Sequence, residues 1–331
     1  MFVEPFLKSS PAIRRYADNP LLAGKDIPYN ANCIFNAGVC KYQGRYVMLF
    51  RNDYDYISGG RFGGCNLGLA FSEDGLHWRP EAEPFFDAAR LHDPEVTRIY
   101  DPRLTVIEDT LYVCFAMDTH HGLRGGIGRI PDDFSGLEIL SLSVPDNRNM
   151  VLFPEKIGGM YARLERPMPV YSRGRDRFDT WISFSPDLKF WGESKLILGV
   201  EEVPFANDKT GPAAPPIRTK AGWLTLFHAV DIDQSRGKNG WEDTWKKRYS
   251  AGVMLLDLDD PSKVLGVYKE PLIAPDTQYE ACEGFRENVI FPGGLIREED
   301  GSLKIYYGAA DTVECLAFAE EETLIGLCLG K

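Results

Sequence analysis

Little in this chain announces a function, and each shortage excludes something. Its seven cysteines, Cys33, Cys40, Cys65, Cys114, Cys282, Cys315 and Cys328, are scattered and never form Cys-x-x-Cys, which argues against a disulfide framework and against a thiolate zinc site. Histidine is scarce, 5 in 331 residues without a His-Glu-x-x-His, so no metal is expected. No run approaches the apolar length of a membrane span, and Met1-Phe2-Val3-Glu4-Pro5 lacks the regions of a secretion signal; no membrane partner and a cytoplasmic location are expected. Basic charge is outweighed: 37 Lys and Arg against 49 Asp and Glu give a net charge of -12. A phosphate backbone needs a basic surface, so no nucleic-acid partner is expected. Helical periodicity is missing as well.

What remains is strand and turn. Hydrophobic residues make up 44% and aromatics 12%, with 32 glycines and 22 prolines, enough for a core cut by many turns. One unit recurs, an apolar strand, a tight turn, then an aromatic and β-branched strand. It opens at Phe35, Leu104, Met150, Pro216 and Val289, turning at Gln43-Gly44, Glu108-Asp109, Gly158-Gly159, Ala221-Gly222 and Asp300-Gly301. A further strand-like run follows each, twice ending in a Ser-x-Asp turn and a Trp, at Ser72 to Trp78 and Ser185 to Trp191. Five such units predict an all-β fold, a five-bladed β-propeller formed as one domain over residues 1–331. Insertions, Gly-rich or charged, are expected as rim loops around 54–64, 120–128 and 231–247.

Polar residues gather where the strands end: Asn36, Arg51, Asp53, Asp101, Arg163, Arg166, Lys209, His228 and Asp311. Equivalent positions of successive blades converge on one axial funnel, so these groups can share a pocket. Carboxylates and an amide suit sugar hydroxyls, whereas Arg, Lys and His suit an oxyanion such as phosphate. Asp101, between Tyr100 and Pro102, is expected on stiff extended backbone, because the residue before proline avoids the helical region. His120-His121 is either acceptor subsite or plain loop, and Gly122 to Gly128 lacks the strand-turn-helix setting of a dinucleotide site.

In order, Phe35-Asn-Ala-Gly38, Phe50-Arg-Asn-Asp53, Tyr100-Asp-Pro-Arg-Leu-Thr105, Arg163-Leu-Glu-Arg-Pro167, Lys209-Thr-Gly-Pro-Ala-Ala-Pro-Pro216, Tyr249 to Asp257 and Tyr306-Tyr-Gly-Ala-Ala-Asp311 resemble glycoside hydrolase family 130, the inverting β-mannoside phosphorylases. The resemblance spans nearly the whole chain and implies a five-bladed propeller. It implies Asp101 as the single catalytic acid, Asn36, Arg51, Asp53, Tyr100 and Asp311 around the mannosyl unit, and Arg166, Lys209 and His228 around phosphate. Phosphate is then a co-substrate, and no cofactor is implied. An acid working at neutral pH needs a raised pKa, so Asp101 is expected above its ordinary value. Where relatives commonly carry Leu-His-Arg-Pro, this chain has Leu164-Glu165-Arg166-Pro167, which leaves linkage and acceptor open. The expected reaction is phosphorolysis of β-1,4-mannosyl-glucose or β-1,4-manno-oligosaccharides to α-mannose 1-phosphate. A β-1,2-mannoside phosphorylase, a phosphate-independent β-mannosidase and a non-catalytic carbohydrate-binding propeller stay open, as does a homo-oligomer.

Overall fold

A computed structural model describes residues 7–168, 177–235 and 245–331. Each hairpin unit becomes the inner part of an antiparallel sheet. Blade 1 runs outward through Cys33–Tyr42, Arg45–Ser58, Arg61–Ser72 and Arg79–Pro80; blade 2 through Val96–Ile107, Thr110–Thr119, Gly122–Ile130 and Glu138–Leu142. Blade 3 comprises Asn147–Leu152, Tyr161–Pro167, Thr180–Ser185 and Gly192–Leu198. In blade 4 two short pieces, Lys209–Pro212 and Ile217–Arg218, share the inner position beside Trp223–Ile232, Lys247–Leu256 and Val264–Val267. Blade 5 has Ile290–Arg297, Ser302–Ala309 and Val313–Glu320, and Arg14–Arg15 from the start of the chain completes its outer edge. Beginning and end thus meet in one sheet, closing the ring without a free seam.

The strands read as continuous apolar runs because both faces are covered. In Arg45–Ser58, Val47 and Leu49 join Leu104 and Val113 of blade 2, while Met48 and Phe50 join Tyr306 and Leu316 of blade 5. Similar clusters fill the other blade interfaces: Cys114 and Ile127 against Leu152, Leu164 and Ile182 against Trp223 and Met254, Leu226 and Val253 against Leu303 and Ile305. Burial pushes the thiols of Cys40 and Cys114 up to about 12, leaving them as small core residues. Ser72 and Ser185 accept backbone N–H bonds in their Ser-x-Asp turns, which are architectural. No helix among the described residues is long and apolar enough to cross a membrane.

Two of the expected rim loops are strand. Residues 54–64 form the far end of a long hairpin in blade 1, and 120–128 are a two-residue turn leading into Gly122–Ile130. The glycines taken for loop formers let neighbouring side chains close in: a Cβ on Gly64 would lie 2.2 Å from the Tyr54 ring, and one on Gly126 as near to Phe115. The third stretch, 231–247, lies partly outside the described residues.

At the axis the inner strands break register. Two residues face one at Asn36-Ala37 in blade 1, Asp101-Pro102 in blade 2 and Asn149-Met150 in blade 3; Gly293 is the extra residue in blade 5, and blade 4 is interrupted from Ala213 to Pro216. Arg103, 3% exposed, ties the breaks together. It donates to the carbonyls of Ala213 (2.7 Å), Asn36 (2.8 Å) and Pro102 (2.6 Å), hence to blades 4, 1 and 2. Removing it strands buried carbonyls, each costing about 1–3 kcal/mol. Arg103→Met should therefore destabilise the fold by about 3 kcal/mol or more in denaturant unfolding; an unchanged midpoint would refute the axial role.

Candidate active site

Asp101 owes its aim to the break in its strand. Its φ is 53°, as are, within a few degrees, those of Asn36 (54°) and Asn149 (56°) at the matching breaks. Extended backbone, expected from Pro102, is thus not what the structure has. These three bulges each carry a left-handed residue, and Asp and Asn are the side chains that adopt that conformation at least cost. The bulge turns the Asp101 carboxylate toward blade 1, where Asn36 Nδ2 (3.1 Å) and Arg51 Nη1 (3.3 Å) both donate to Oδ1. Burial pushes this carboxyl up, but Arg51, Arg103 and Arg148 together outweigh it, leaving the pKa below its ordinary value. The expected upward shift is therefore not found: three cations surround the acid.

Arg51 is itself gripped. Asp53 accepts from its Nε (3.0 Å) and Nη2 (2.6 Å), and Arg98 adds a bond to Asp53 Oδ1 (3.1 Å). Burial opposes the Asp53 charge, yet Arg51 and then Arg98 hold its pKa down. The Arg51 guanidinium lies over the rings of Phe35 (4.6 Å) and Tyr100 (4.9 Å). Asp311, at φ 47° in the turn after Ser302–Ala309, accepts from Arg286 (3.0 Å); burial raises its pKa despite Arg286 and Arg51. Asn36, Arg51, Asp53, Asp101 and Asp311 are linked through these bonds and fields. Tyr100 joins them only by its ring, for its hydroxyl points elsewhere, to Asp118 and Arg148.

Across the funnel lies a group of cations. Arg148 and Arg166 are directly opposed in the first two strands of blade 3, a like-charge pairing that a sheet alone disfavours. Arg166 is 1% exposed, and among the described residues its Nε and Nη2, like Arg148 Nε, have no hydrogen-bond partner. Burial and then Arg148 bring the Arg166 guanidinium down to about 9. Lys209 adds its ammonium over the Phe178 ring that Arg166 also covers (4.6 and 4.9 Å). Burial, then Arg166 and Lys247, bring it down to about 6, with Asp208 the partial counter-charge at 3.8 Å. Buried donors that repel one another and lack acceptors make a site for an oxyanion.

His228 stands behind this cluster. Its Nδ1–H donates to the Pro212 carbonyl (3.1 Å), so Nε2 is the lone pair that accepts from Arg166 Nη1 (3.0 Å). Burial and then Arg166 hold it well below its ordinary pKa, so the ring is neutral and acts by orienting Arg166. Gly211 faces His228 across the sheet because a Cβ there would lie 2.4 Å from the ring and 2.8 Å from Arg166 Cδ. Arg163 and Glu165 turn the other way: they pair with each other at 2.8 Å, and Asn147 donates to Glu165 (2.8 Å). The carboxylate that replaces the family's imidazole is thus neutralised within blade 3. His120 and His121 form an exposed turn, with His121 bonded to Glu95.

Reading the sequence missed Arg98, Asp118, Arg148 and Arg286. Only Arg148 left a signal, in Asn147-Arg148-Asn149, which repeats at an inner strand the Asn/Asp that marks the other breaks.

A family model described as beta-1,4-mannooligosaccharide phosphorylase matches residues 13–329. A beta-1,4-mannooligosaccharide phosphorylase of Ruminococcus albus is 34% identical, over 95% of this chain and 90% of its own. A beta-1,2-mannobiose phosphorylase of Listeria innocua is 29% identical over 91% and 94%. The solved structure of the Listeria innocua beta-1,2-mannobiose phosphorylase with beta-1,2-mannobiose superposes with a TM-score of 0.82 at 27% identity, covering 96% of this chain and 99% of that one. A propeller matched over residues 13–329 by that model, and over nearly its whole length by such enzymes, is a member of glycoside hydrolase family 130, the β-mannoside phosphorylases.

Proposed function

We propose that the chain cleaves β-1,4-linked mannosides with inorganic phosphate, inverting the anomeric centre to give α-mannose 1-phosphate. The observation that carries this reading is the division of the funnel into one acid and a buried, acceptor-poor cation cluster. An inverting hydrolase needs a second carboxylate about 6.5–9.5 Å from the acid to activate water. Here Asp53 is held by Arg51 and Arg98, and Asp311 by Arg286. Phosphate arrives already nucleophilic and needs only to be held in line with its charge spread over donors. Arg148, Arg166 and Lys209 supply these, and His228 fixes Arg166. Asn36, Arg51, Asp53 and Asp311 hold the mannosyl hydroxyls, while Asp101 delivers the proton to the departing oxygen, directly or through a sugar hydroxyl.

Phosphate also prepares the acid. Arg148 is one of the charges that depress Asp101; an anion on Arg148 cancels its field, so the Asp101 pKa rises when phosphate binds. The β-1,4 preference is supported by the family description and by the Ruminococcus albus relative. The Listeria innocua structure, similar along its full length, favours β-1,2-mannosides as the second reading.

Synthesis tests the reading: given α-mannose 1-phosphate and a panel of glucose, mannose and N-acetylglucosamine, the enzyme should release phosphate and form a β-1,4-linked disaccharide. A β-1,2 product would select the second reading, and sugar release from mannosides at full rate without phosphate would overturn both. Asp101→Asn should lower turnover by about a thousandfold or more while mannose binding stays within a few-fold by calorimetry; near-normal turnover would remove Asp101 from its role. Carboxyl-carbon NMR should show Asp101 titrating at higher pH with saturating phosphate than without. Because the protonated form is active, the alkaline limb of kcat should follow the higher value, and an unmoved midpoint would refute the coupling.

A further inference from the structure

Tyr100 touches both halves of the funnel. Its ring lies beneath Arg51 (4.9 Å) and Arg98 (5.3 Å), the two cations on Asp53. Its hydroxyl lies between Asp118 Oδ1 (2.7 Å) and Arg148 Nη1 (3.3 Å). A phenol has one proton to give and lone pairs to accept with, an ionised carboxylate only accepts, and a guanidinium only donates. The chain is therefore polarised one way: Arg148 donates to Tyr100, which donates to Asp118. Burial pushes the Tyr100 phenol up, so its proton stays in place.

Arg148 needs such a tether. It is opposed in register by Arg166, so repulsion drives the two guanidiniums apart, and among the described residues the hydroxyl of Tyr100 is the hydrogen-bond acceptor of Arg148. Asp118 comes from Thr110–Thr119, one strand out from Tyr100, and its main-chain carbonyl accepts from Thr97 Oγ1 (3.2 Å), which steadies its backbone. Without Asp118 the phenol could rotate and turn its proton toward Arg148, converting an attraction into a repulsion.

We infer that Tyr100 and Asp118 form a strut that fixes Arg148 in the phosphate site, making Asp118 a positioning residue for the nucleophile and giving Tyr100 a role on the phosphate side. The inference rests on the phosphorolytic reading, since it requires that Arg148 binds phosphate. It separates the two functions of Tyr100: the ring supports the sugar side, and the hydroxyl serves the anion.

Calorimetry with inorganic phosphate, and separately with mannose, tests this on the full chain. Tyr100→Phe keeps the ring and should weaken phosphate binding about tenfold, the usual consequence of losing a hydrogen bond to a charged group. Its mannose affinity should stay within twofold. Asp118→Ala should act likewise, and Asp118→Asn, which keeps an accepting oxygen, should fall between it and the wild type. In turnover assays the Tyr100→Phe KM for phosphate should rise tenfold with the KM for the mannoside nearly unchanged. Equal loss of phosphate and mannose affinity, or undiminished phosphate binding by folded Tyr100→Phe, would overturn the strut while leaving the phosphorolytic reading intact. Failure of the wild-type chain to bind phosphate would overturn both.

Discussion

Five inner strands brought to one axis cannot all keep a regular ladder and still present side chains to a pocket. The breaks at Asn36, Asp101, Asn149, Gly293 and the Ala213 to Pro216 segment resolve this, each freeing backbone from its own sheet. Freed carbonyls must find donors elsewhere. Arg103 supplies them for three blades, and Gly293 stays small because a Cβ there would lie 1.9 Å from the Ala37 carbonyl. The same event that closes the ring rotates the Asp101 carboxylate into the funnel, so fold closure and site geometry are one constraint.

Charge is arranged on top of that constraint. The chain carries a net charge of -12, yet its axis is crowded with buried cations. Around Asp101 each arginine has a carboxylate: Arg51 and Arg98 share Asp53, and Arg286 has Asp311. On the other side the balance fails, with Asp208 placed between Lys209 (3.8 Å) and Lys247 (3.3 Å) and too distant to satisfy Arg166. The imbalance is costly to the fold, and an anion placed there would offset it. Asp101 sits between the two regimes and takes its pKa from both.

Much of this was legible in the sequence. The five hairpins could be counted because turn residues and alternation are local, and Asn36, Arg51, Asp53, Asp101, Arg166, Lys209 and Asp311 were legible as one polar set, although Asn36, Arg51, Asp53 and Asp101 lie within strands rather than at their ends. What escaped depended on register. That Arg148 faces Arg166, or that Asp118 lies behind Tyr100, follows from pairings between strands that no periodicity encodes. The direction of the Asp101 pKa was missed for a related reason: of the three arginines that outweigh burial only Arg103 is near in sequence, whereas Arg51 and Arg148 come from strands of blades 1 and 3. The backbone of Asp101 was misjudged because a local rule, that residues before proline are extended, yielded to the demand of the bulge. Residues 54–64 read as loop because glycine was taken for flexibility when it was making room for Tyr54.

His228 shows how the site avoids one more charge. A protonated imidazole beside Arg166 and Lys209 would add to a cluster already short of acceptors. Donation from Nδ1 to the Pro212 carbonyl fixes the tautomer, leaving Nε2 to accept from Arg166. A neutral acceptor can therefore hold the guanidinium without cancelling its charge: an Asp or Glu in its place would pair with Arg166 and remove the field that an anion would meet there. The contrast with Glu165 makes the point within one strand. Glu165 is turned to the opposite face and spent on Arg163, so the carboxylate nearest in sequence to Arg166 does not neutralise it.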